Sequence, residues 1–290
     1  MANIIGEGAY GVIYKPALPC DTKKKYRDTV GKVFENAEAM LTEKYNHEFI
    51  NKIDPEHKYT VQLYDECSLV DSQKYQLIYK YGGSDMKHLL LSKGSPAKFK
   101  RILKSIKPVL MGLQILIKKG YAHMDIKPDN ILKKGTNIYL IDFGLTTKTD
   151  QLYVPENDYI FNHDYPYYPC EFKLINYNDS FETFYTKYKK SINMEVYLFN
   201  TKINIFDQLQ ITFNINIKQQ LFKIYMNFNK DKLDTDKIDL FSLGITLFLF
   251  YVWSGIKNDK IKDLIRGMTH FDVTKRFNIK QTIKEYNKIK

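Results

Sequence analysis

The stretch from Tyr121 to Gly144 constrains this chain more than any other. Tyr121-Ala122-His123-Met124-Asp125-Ile126-Lys127-Pro128-Asp129-Asn130-Ile131-Leu132 is followed, after a short turn, by Ile141-Asp142-Phe143-Gly144. The apolar runs Ile131-Leu132 and Ile138-Tyr139-Leu140-Ile141 read as two short strands joined across Lys133 to Asn137, with Gly135 supplying the turn. Such a hairpin sets Asn130 and Asp142 at neighbouring mouths, where two oxygen donors can share a hard divalent cation. Asp125, just upstream, is placed to take a proton from a hydroxyl nucleophile. A lone His-x-Asp or Asp-Phe-Gly carries little information. Asp125, Lys127, Asn130 and Asp142 together at these offsets are far more specific than a polar turn.

This compound pattern resembles the catalytic loop and Asp-Phe-Gly segment of eukaryotic-type protein kinases, and the flanking sequence is similar in the same order. Gly6-Glu7-Gly8-Ala9-Tyr10-Gly11 is followed by the strand-like Val12-Ile13-Tyr14-Lys15 and then Pro16. A dinucleotide fingerprint would open a helix at that point; strand, glycine turn, strand is the kinase arrangement. The resemblance implies that Ile5, Gly6, Glu7, Gly8, Ala9, Tyr10, Gly11 and Val12 cover the nucleotide, with glycine letting the backbone approach phosphate oxygens. It implies that Lys32, in the strand Thr29 to Phe34, grips the phosphates. A helix carrying Met40, Leu41, Tyr45, Ile50 and Ile53, closed by Asp54-Pro55, supplies a glutamate partner for it. Glu43 lies beside the apolar face and is the first choice, with Glu48 and Glu38 open. Val61 to Tyr64 and Tyr75 to Tyr81 read as further strands. Tyr81-Gly82-Gly83-Ser84-Asp85 resembles the hinge, which places Lys80 and Gly82 with the nucleotide-binding residues, Tyr79 as gatekeeper and Asp85 towards the ribose.

Beyond Pro96, Phe99, Ile102, Leu103, Ile106, Val109, Leu110, Leu113 and Ile117 recur at helical spacing, with a kink expected at Pro108. Pro169-Cys170-Glu171 is a degenerate Ala-Pro-Glu motif. Asp239-Leu240-Phe241-Ser242-Leu243-Gly244 resembles the start of the buried central helix of the kinase large lobe. Asp272-Val273-Thr274-Lys275-Arg276 resembles the late segment whose arginine pairs with the Ala-Pro-Glu glutamate, here Glu171.

Composition adds bounds. With 290 residues, 44% of them hydrophobic, the chain has ample material for a core. The net charge of +11 favours anionic partners, but the basic residues are dispersed, so no sequence-specific nucleic acid partner is expected. Cys20, Cys67 and Cys170 lie far apart without a Cys-x-x-Cys pair, so neither zinc nor a disulfide is expected, in keeping with a reducing compartment. Met1 to Ile5 is too short for a signal peptide. Leu240 to Ile256 is an uncharged run of 17 residues, at the lower edge of a spanning helix; a buried core helix is the better reading, and no membrane partner is expected.

The resemblance implies an α+β bilobal protein kinase-like fold occupying 1–290, with a β-rich N-lobe over 1–81 and a helical C-lobe over 82–290. It implies a monomeric serine/threonine protein kinase that uses ATP and Mg2+ to phosphorylate protein hydroxyls. Lys32, Asp125 and Lys127 are the catalytic residues, with Asn130 and Asp142 holding metal. Lysine two residues after Asp125 resembles the Ser/Thr-directed pattern. The Lys-, Asn- and Ile-rich composition and the few residues before the glycine run resemble kinases of large nucleocytoplasmic DNA viruses, which implies the cytoplasm, host cytoplasm or virion as location. Three features depart from the pattern. Met124 replaces the arginine before the catalytic aspartate, and Cys170 replaces the proline of Ala-Pro-Glu. The long segment after Glu171, free of Gly and Pro from 172 to 238, implies a helical insertion over about 175–231, read as a docking element. A kinase-fold scaffold without catalysis and a small-molecule phosphotransferase are the alternatives from other classes.

Overall fold

The computed structural model describes residues 2–8, 11–20, 26–69, 74–152, 165–192, 195–199, 201–229 and 233–289. The chain divides into two compact units, one of residues 1–84 with 131–146, the other of 85–130 with 147–290. The single cut at 81/82 read from the sequence is therefore replaced by a division in which the chain returns once to the first unit. The returning piece is the expected hairpin, β7 (Ile131–Lys134) and β8 (Asn137–Leu140).

The first unit is an antiparallel sheet of β1 (Asn3–Gly8), β2 (Gly11–Lys15), β3 (Thr29–Phe34), β4 (Leu63–Ser68) and β5 (Tyr75–Lys80), ordered β1-β2-β3-β5-β4. Strand alternation puts Val30, Lys32 and Phe34 on one face of β3. On that face Phe34, Met40, Val61, Leu77 and Tyr79 form a core, with Val30, Leu132, Tyr139 and Ile141 packed against it. Lys32 therefore projects along apolar surface, its ammonium 5.2 Å from the Phe34 ring centre. Helix α1 (Ala37–Ile53) starts at Asn36, whose side chain accepts the Glu38 N–H, and buries Met40, Glu43, His47 and Ile50. These lie three or four apart, a single stripe. Asp54 ends the helix and accepts the backbone N–H groups of Lys58, Tyr59 and Thr60.

The cysteine expectation is corrected in this unit. Cys20 and Cys67 are paired as a disulfide across 47 residues, with Cα atoms 5.8 Å apart. Spacing gave no sign of it, because the pairing is made by the approach of residue 20 to the end of β4, where Cys20 bridges Leu69. The buried Gln76 holds the same approach by bonding to both the N–H and the carbonyl of Leu18.

The second unit is mainly helical. Helix α2 (Met86–Leu90) is followed by α3 (Pro96–Ser105) and α4 (Lys107–Lys118). Pro108 breaks the expected long helix at Ile106 instead of kinking it, because a proline tolerated in the first turn of a helix starts a new one. Strand β6 (Tyr121–Ala122) pairs with β9 (Thr147–Lys148). Then come α5 (Cys170–Leu174), α6 (Phe181–Ile192), the hairpin of β10 (Glu195–Leu198) and β11 (Thr201–Asn204), α7 (Ile205–Phe213) and α8 (Ile217–Met226). The hairpin departs from the expected all-helical insertion: absence of Gly and Pro permits helix but does not exclude strand. Phe184, Tyr188, Ile205, Phe206 and Leu221 of this region are fully buried, and Phe213 reaches within 5.6 Å of Phe248. The insertion is thus part of the core of the second unit.

Helix α9 (Ile238–Ser254) runs through that core, followed by α10 (Asp259–Met268) and α11 (Ile279–Asn287). Among the described residues, one helical span, Thr235–Ser254, is long and apolar enough to cross a membrane, and 83% of its apolar window is buried inside the protein.

Candidate active site

Two clusters of the expected residues form, one in each unit. In the first, Lys32 Nζ lies 2.5 Å from Glu43 Oε2 and 3.2 Å from Asp142 Oδ1. Of the three glutamates open from the sequence, Glu43 is the one on the buried stripe of α1, whereas Glu38 and Glu48 are exposed. Burial disfavours the Lys32 ammonium, but the carboxylates of Glu43 and Asp142 outweigh it and raise its pKa above the usual lysine value. Lys32 therefore stays charged.

Tyr79 completes this cluster, its hydroxyl donating to Glu43 Oε1 at 2.8 Å. Burial and the nearby Glu43 carboxylate push its phenol well above the ordinary range, so it remains a donor. The next residue on the α1 stripe, His47, packs edge-on to the rings of Tyr79 and Phe143 at 5.2 and 5.6 Å and donates from Nε2 to the Val61 carbonyl at 3.0 Å. Asn46 donates to the Phe143 carbonyl at 2.8 Å. Helix α1 thus fixes both the Lys32 partner and the backbone following Asp142. Asp142 itself adopts left-handed φ/ψ of 64° and 71°, a conformation that acidic side chains tolerate better than most.

In the second unit, Asp125 Oδ2 accepts from Lys127 Nζ at 2.8 Å and from Asn130 Nδ2 at 2.6 Å. Asn130 Nδ2 also donates to the Asp125 carbonyl at 2.9 Å, leaving its amide oxygen as the atom it can offer a cation. The loop is held from below by α9. The buried Asp239 carboxylate accepts the His123 N–H at 2.6 Å and the Met124 N–H at 2.9 Å. Burial raises the Asp239 carboxyl, with the loop contacts acting against that rise. Met124 has φ of 67°, and its side chain packs with Ala122, Tyr168, Phe172, Ile175 and Ile238. The Glu171–Arg276 pair expected from the sequence is buried and two-pronged, at 2.5 Å (Nη1–Oε1) and 3.0 Å (Nη2–Oε2).

The sequence matches the protein kinase domain family over residues 1–286. The chain belongs to that family. Among curated relatives, this kinase-family chain is 26% identical over 161 residues to "Probable serine/threonine-protein kinase fhkB" of Dictyostelium discoideum, covering 54% of this chain and 13% of that protein. It is 28% identical over 159 residues to "Mitogen-activated protein kinase kinase kinase 8" of Rattus norvegicus (54% and 31%). It is 25% identical over 143 residues to "Cell division control protein 2 homolog 2" of Trypanosoma brucei brucei (49% and 40%). The matched stretch thus spans well under half the length of each of these relatives.

The remaining residues expected in the kinase site take the following places. Ile5, Gly6 and Glu7 lie on β1, with Ile5 at a bulge where the register shifts, and Gly8 pairs with Gly11 at the end of the hairpin. Ala9 and Tyr10 fall outside the described residues. Gly11 is needed for packing: a Cβ there would stand 2.2 Å from the Val33 carbonyl oxygen. Val12 is opposite Val33 on β3. Lys80 is exposed at the end of β5, its N–H bonded to Gln62. Gly82 is buried against Val61 and Leu132. Asp85 caps α2, accepting the His88 N–H at 2.8 Å, a local task that the ribose reading did not foresee.

Tyr79, His47 and Asp239 were not recognised as supports. His47 had a signal, four residues after Glu43 on one helical face. Asp239 had one too, as the charged residue opening an otherwise uncharged run.

Proposed function

We propose that the chain is a serine/threonine protein kinase that transfers the γ-phosphoryl group of MgATP to protein hydroxyls. The observation that carries this reading is Lys32, held charged between Glu43 and Asp142 and so pre-positioned for phosphate. The donor chemistry fits a hard cation: Asp142 and Asn130 offer carboxylate and amide oxygens. Among the described residues no cluster of three or more His, Cys, Asp or Glu side chains would hold a metal alone. Mg2+ usually takes one or two carboxylates together with waters and substrate phosphates, so its binding is expected to accompany the nucleotide. When bound, Mg2+ neutralises phosphate charge.

The residues of the chain do the rest. Lys32 orients the phosphates, Asp125 accepts the proton of the substrate hydroxyl, and Lys127 stabilises the moving phosphoryl group. Lys127, two residues after Asp125, supports Ser/Thr over Tyr specificity, as does the printed name of the Dictyostelium relative. The composition supports a place among kinases of large nucleocytoplasmic DNA viruses. Incubation with labelled ATP, magnesium and mixed proteins, followed by phosphoamino-acid analysis, tests the function. Phosphoserine or phosphothreonine is expected, and label on tyrosine alone would defeat the specificity.

A further inference from the structure

In the second unit, the insertion and the turn after α10 frame a half-open cavity of about 330 Å³. That is at the lower end of the range for small-molecule sites, about 300–1,000 Å³. Its apolar side is made by Leu209 and Phe213 of α7, by Ile215 and by Phe271. The two rings leave the space between them because each is engaged elsewhere. Phe213 leans on Phe248 at 5.6 Å, and Phe271 lies edge-on to Tyr188 and Phe241, both at 6.4 Å. Asn214 ends α7 in a left-handed turn, with φ of 51°, and so turns Ile215 out of the helix. The opposite wall is tied down. The His270 carbonyl accepts from Arg276 Nε at 2.9 Å, and the Phe271 carbonyl from Arg276 Nη2 at 3.2 Å. The cavity is thus built into the fold.

Its polar rim offers donors. The Thr269 hydroxyl is spent on the Ile265 carbonyl at 2.9 Å. His270 Nδ1 accepts the Asp272 N–H at 3.1 Å, which puts the ring proton on Nε2. Burial lowers the His270 pKa, so the ring is a neutral donor. Arg266 gives one nitrogen to Asp263 at 2.9 Å, an exposed pair one helical turn apart and worth little. Its other N–H groups remain for a ligand, and the Gln220 amide adds a further donor. Among the described residues no carboxylate lines the cavity. One guanidinium beside neutral donors matches a single negative charge, and its planar fork matches a carboxylate.

We propose that this cavity binds a small apolar monocarboxylate, with its ring or chain against Leu209, Phe213, Ile215 and Phe271 and its carboxylate on Arg266, assisted by His270 Nε2 and Gln220. None of these residues is assigned to phosphoryl transfer, so the site and the kinase reading stand or fall separately.

The probe is 3-phenylpropionate, with 3-phenylpropanamide as its uncharged counterpart and phenyl phosphate as a dianion. Methyl resonances of 13C-labelled Leu and Ile, and side-chain N–H resonances of 15N-labelled Arg, are followed as each is titrated into the full chain. Saturable shifts are expected at Leu209, Ile215 and Arg266, with a Kd of about 4 mM or tighter from the ordinary affinity per atom of so small a ligand. The amide should bind about tenfold more weakly, as a lost charge-assisted bond implies. Arg266→Met, at an exposed position, should weaken the propionate about tenfold and leave the amide unchanged. Ile215→Trp, which fills the cavity, should abolish both. No saturable shift at these residues below about 10 mM overturns the site, and the unaltered protein decides this even if Ile215→Trp does not fold. An amide that binds as tightly as the propionate, or an Arg266→Met variant of undiminished affinity, overturns carboxylate recognition. Tighter binding of phenyl phosphate overturns the choice of a monoanion.

Discussion

His47 should make the first unit sensitive to mild acid. It is buried beneath Tyr79 and Phe143, and burial lowers its pKa from 6.5 to about 4, against the opposing pull of the Val61 carbonyl. The folded protein therefore keeps His47 neutral while the unfolded chain protonates it below pH 6.5. Stability from this residue is fully present above that pH and is lost as the pH falls towards 4. The lost stability is about 0.8 kcal/mol at pH 6, about 2 kcal/mol at pH 5 and at most about 3.4 kcal/mol in stronger acid. His57 and His270 have lowered pKa values as well, both through burial, so the raw pH dependence mixes several groups. The difference between the wild type and His47→Gln removes them, since glutamine does not titrate and can still donate to Val61. Urea unfolding at pH 7.5, 6 and 5 should show the wild type losing about 2 kcal/mol relative to the variant across the range. A difference that stays constant between pH 7.5 and 5 would refute the reasoning.

Asp125→Asn and Asp142→Asn should each reduce phosphoryl transfer by orders of magnitude, but only the second should markedly weaken magnesium-dependent ATP binding. Calorimetry with and without magnesium checks this, and equal losses would sink the division of roles. Thr146 is buried and the Thr149 hydroxyl is spent on the Gly120 carbonyl. Replacing Thr146, Thr147 and Thr149 with Ala should therefore leave peptide phosphorylation within a few-fold. A hundredfold loss, about 2.7 kcal/mol of barrier, would show that loop phosphate is needed despite Met124. Glu171→Ala strands the buried Arg276 and should cost about 3–5 kcal/mol in denaturant unfolding; a loss below about 1 kcal/mol would mean that water reaches the pair. Phe184→Ala, in the insertion, should cost about 3–5 kcal/mol as well, and a near-neutral result would mean that the insertion contributes little to the core of the second unit.

The motif residues were legible because each carries its chemistry in its type and its neighbours. Lys32 and Asp142 are 110 positions apart, yet both were found from the short strand and turn that hold them. Glu43 was legible only as one of three, because periodicity gives a face and not a partner. What stayed hidden depends on tertiary approach alone. Cys20 and Cys67 meet because β4 and residue 20 are brought together, and Tyr79 was assigned a lining role while its hydroxyl is spent on Glu43. The bond of the Tyr165 phenol to Asp125 has no counterpart in spacing either. The strands at 195–204 were missed because their residues suit helix and strand alike, and a register is decided by pairing.

The Asp239 carboxylate has an effect on what position 124 is allowed to be. A left-handed backbone ordinarily selects glycine, or costs another residue about 1–2 kcal/mol. Here two bonds from one buried carboxylate hold the N–H groups of His123 and Met124, so the conformation is guaranteed from outside the residue. The side chain is thereby released from conformational selection and open to choice by its surroundings. Methionine suits the apolar cluster of Tyr168 and Phe172; an arginine would suit an anion. Exchange between a greasy and a charged tie at this point requires no rebuilding of the loop, only a change in what the loop is tied to.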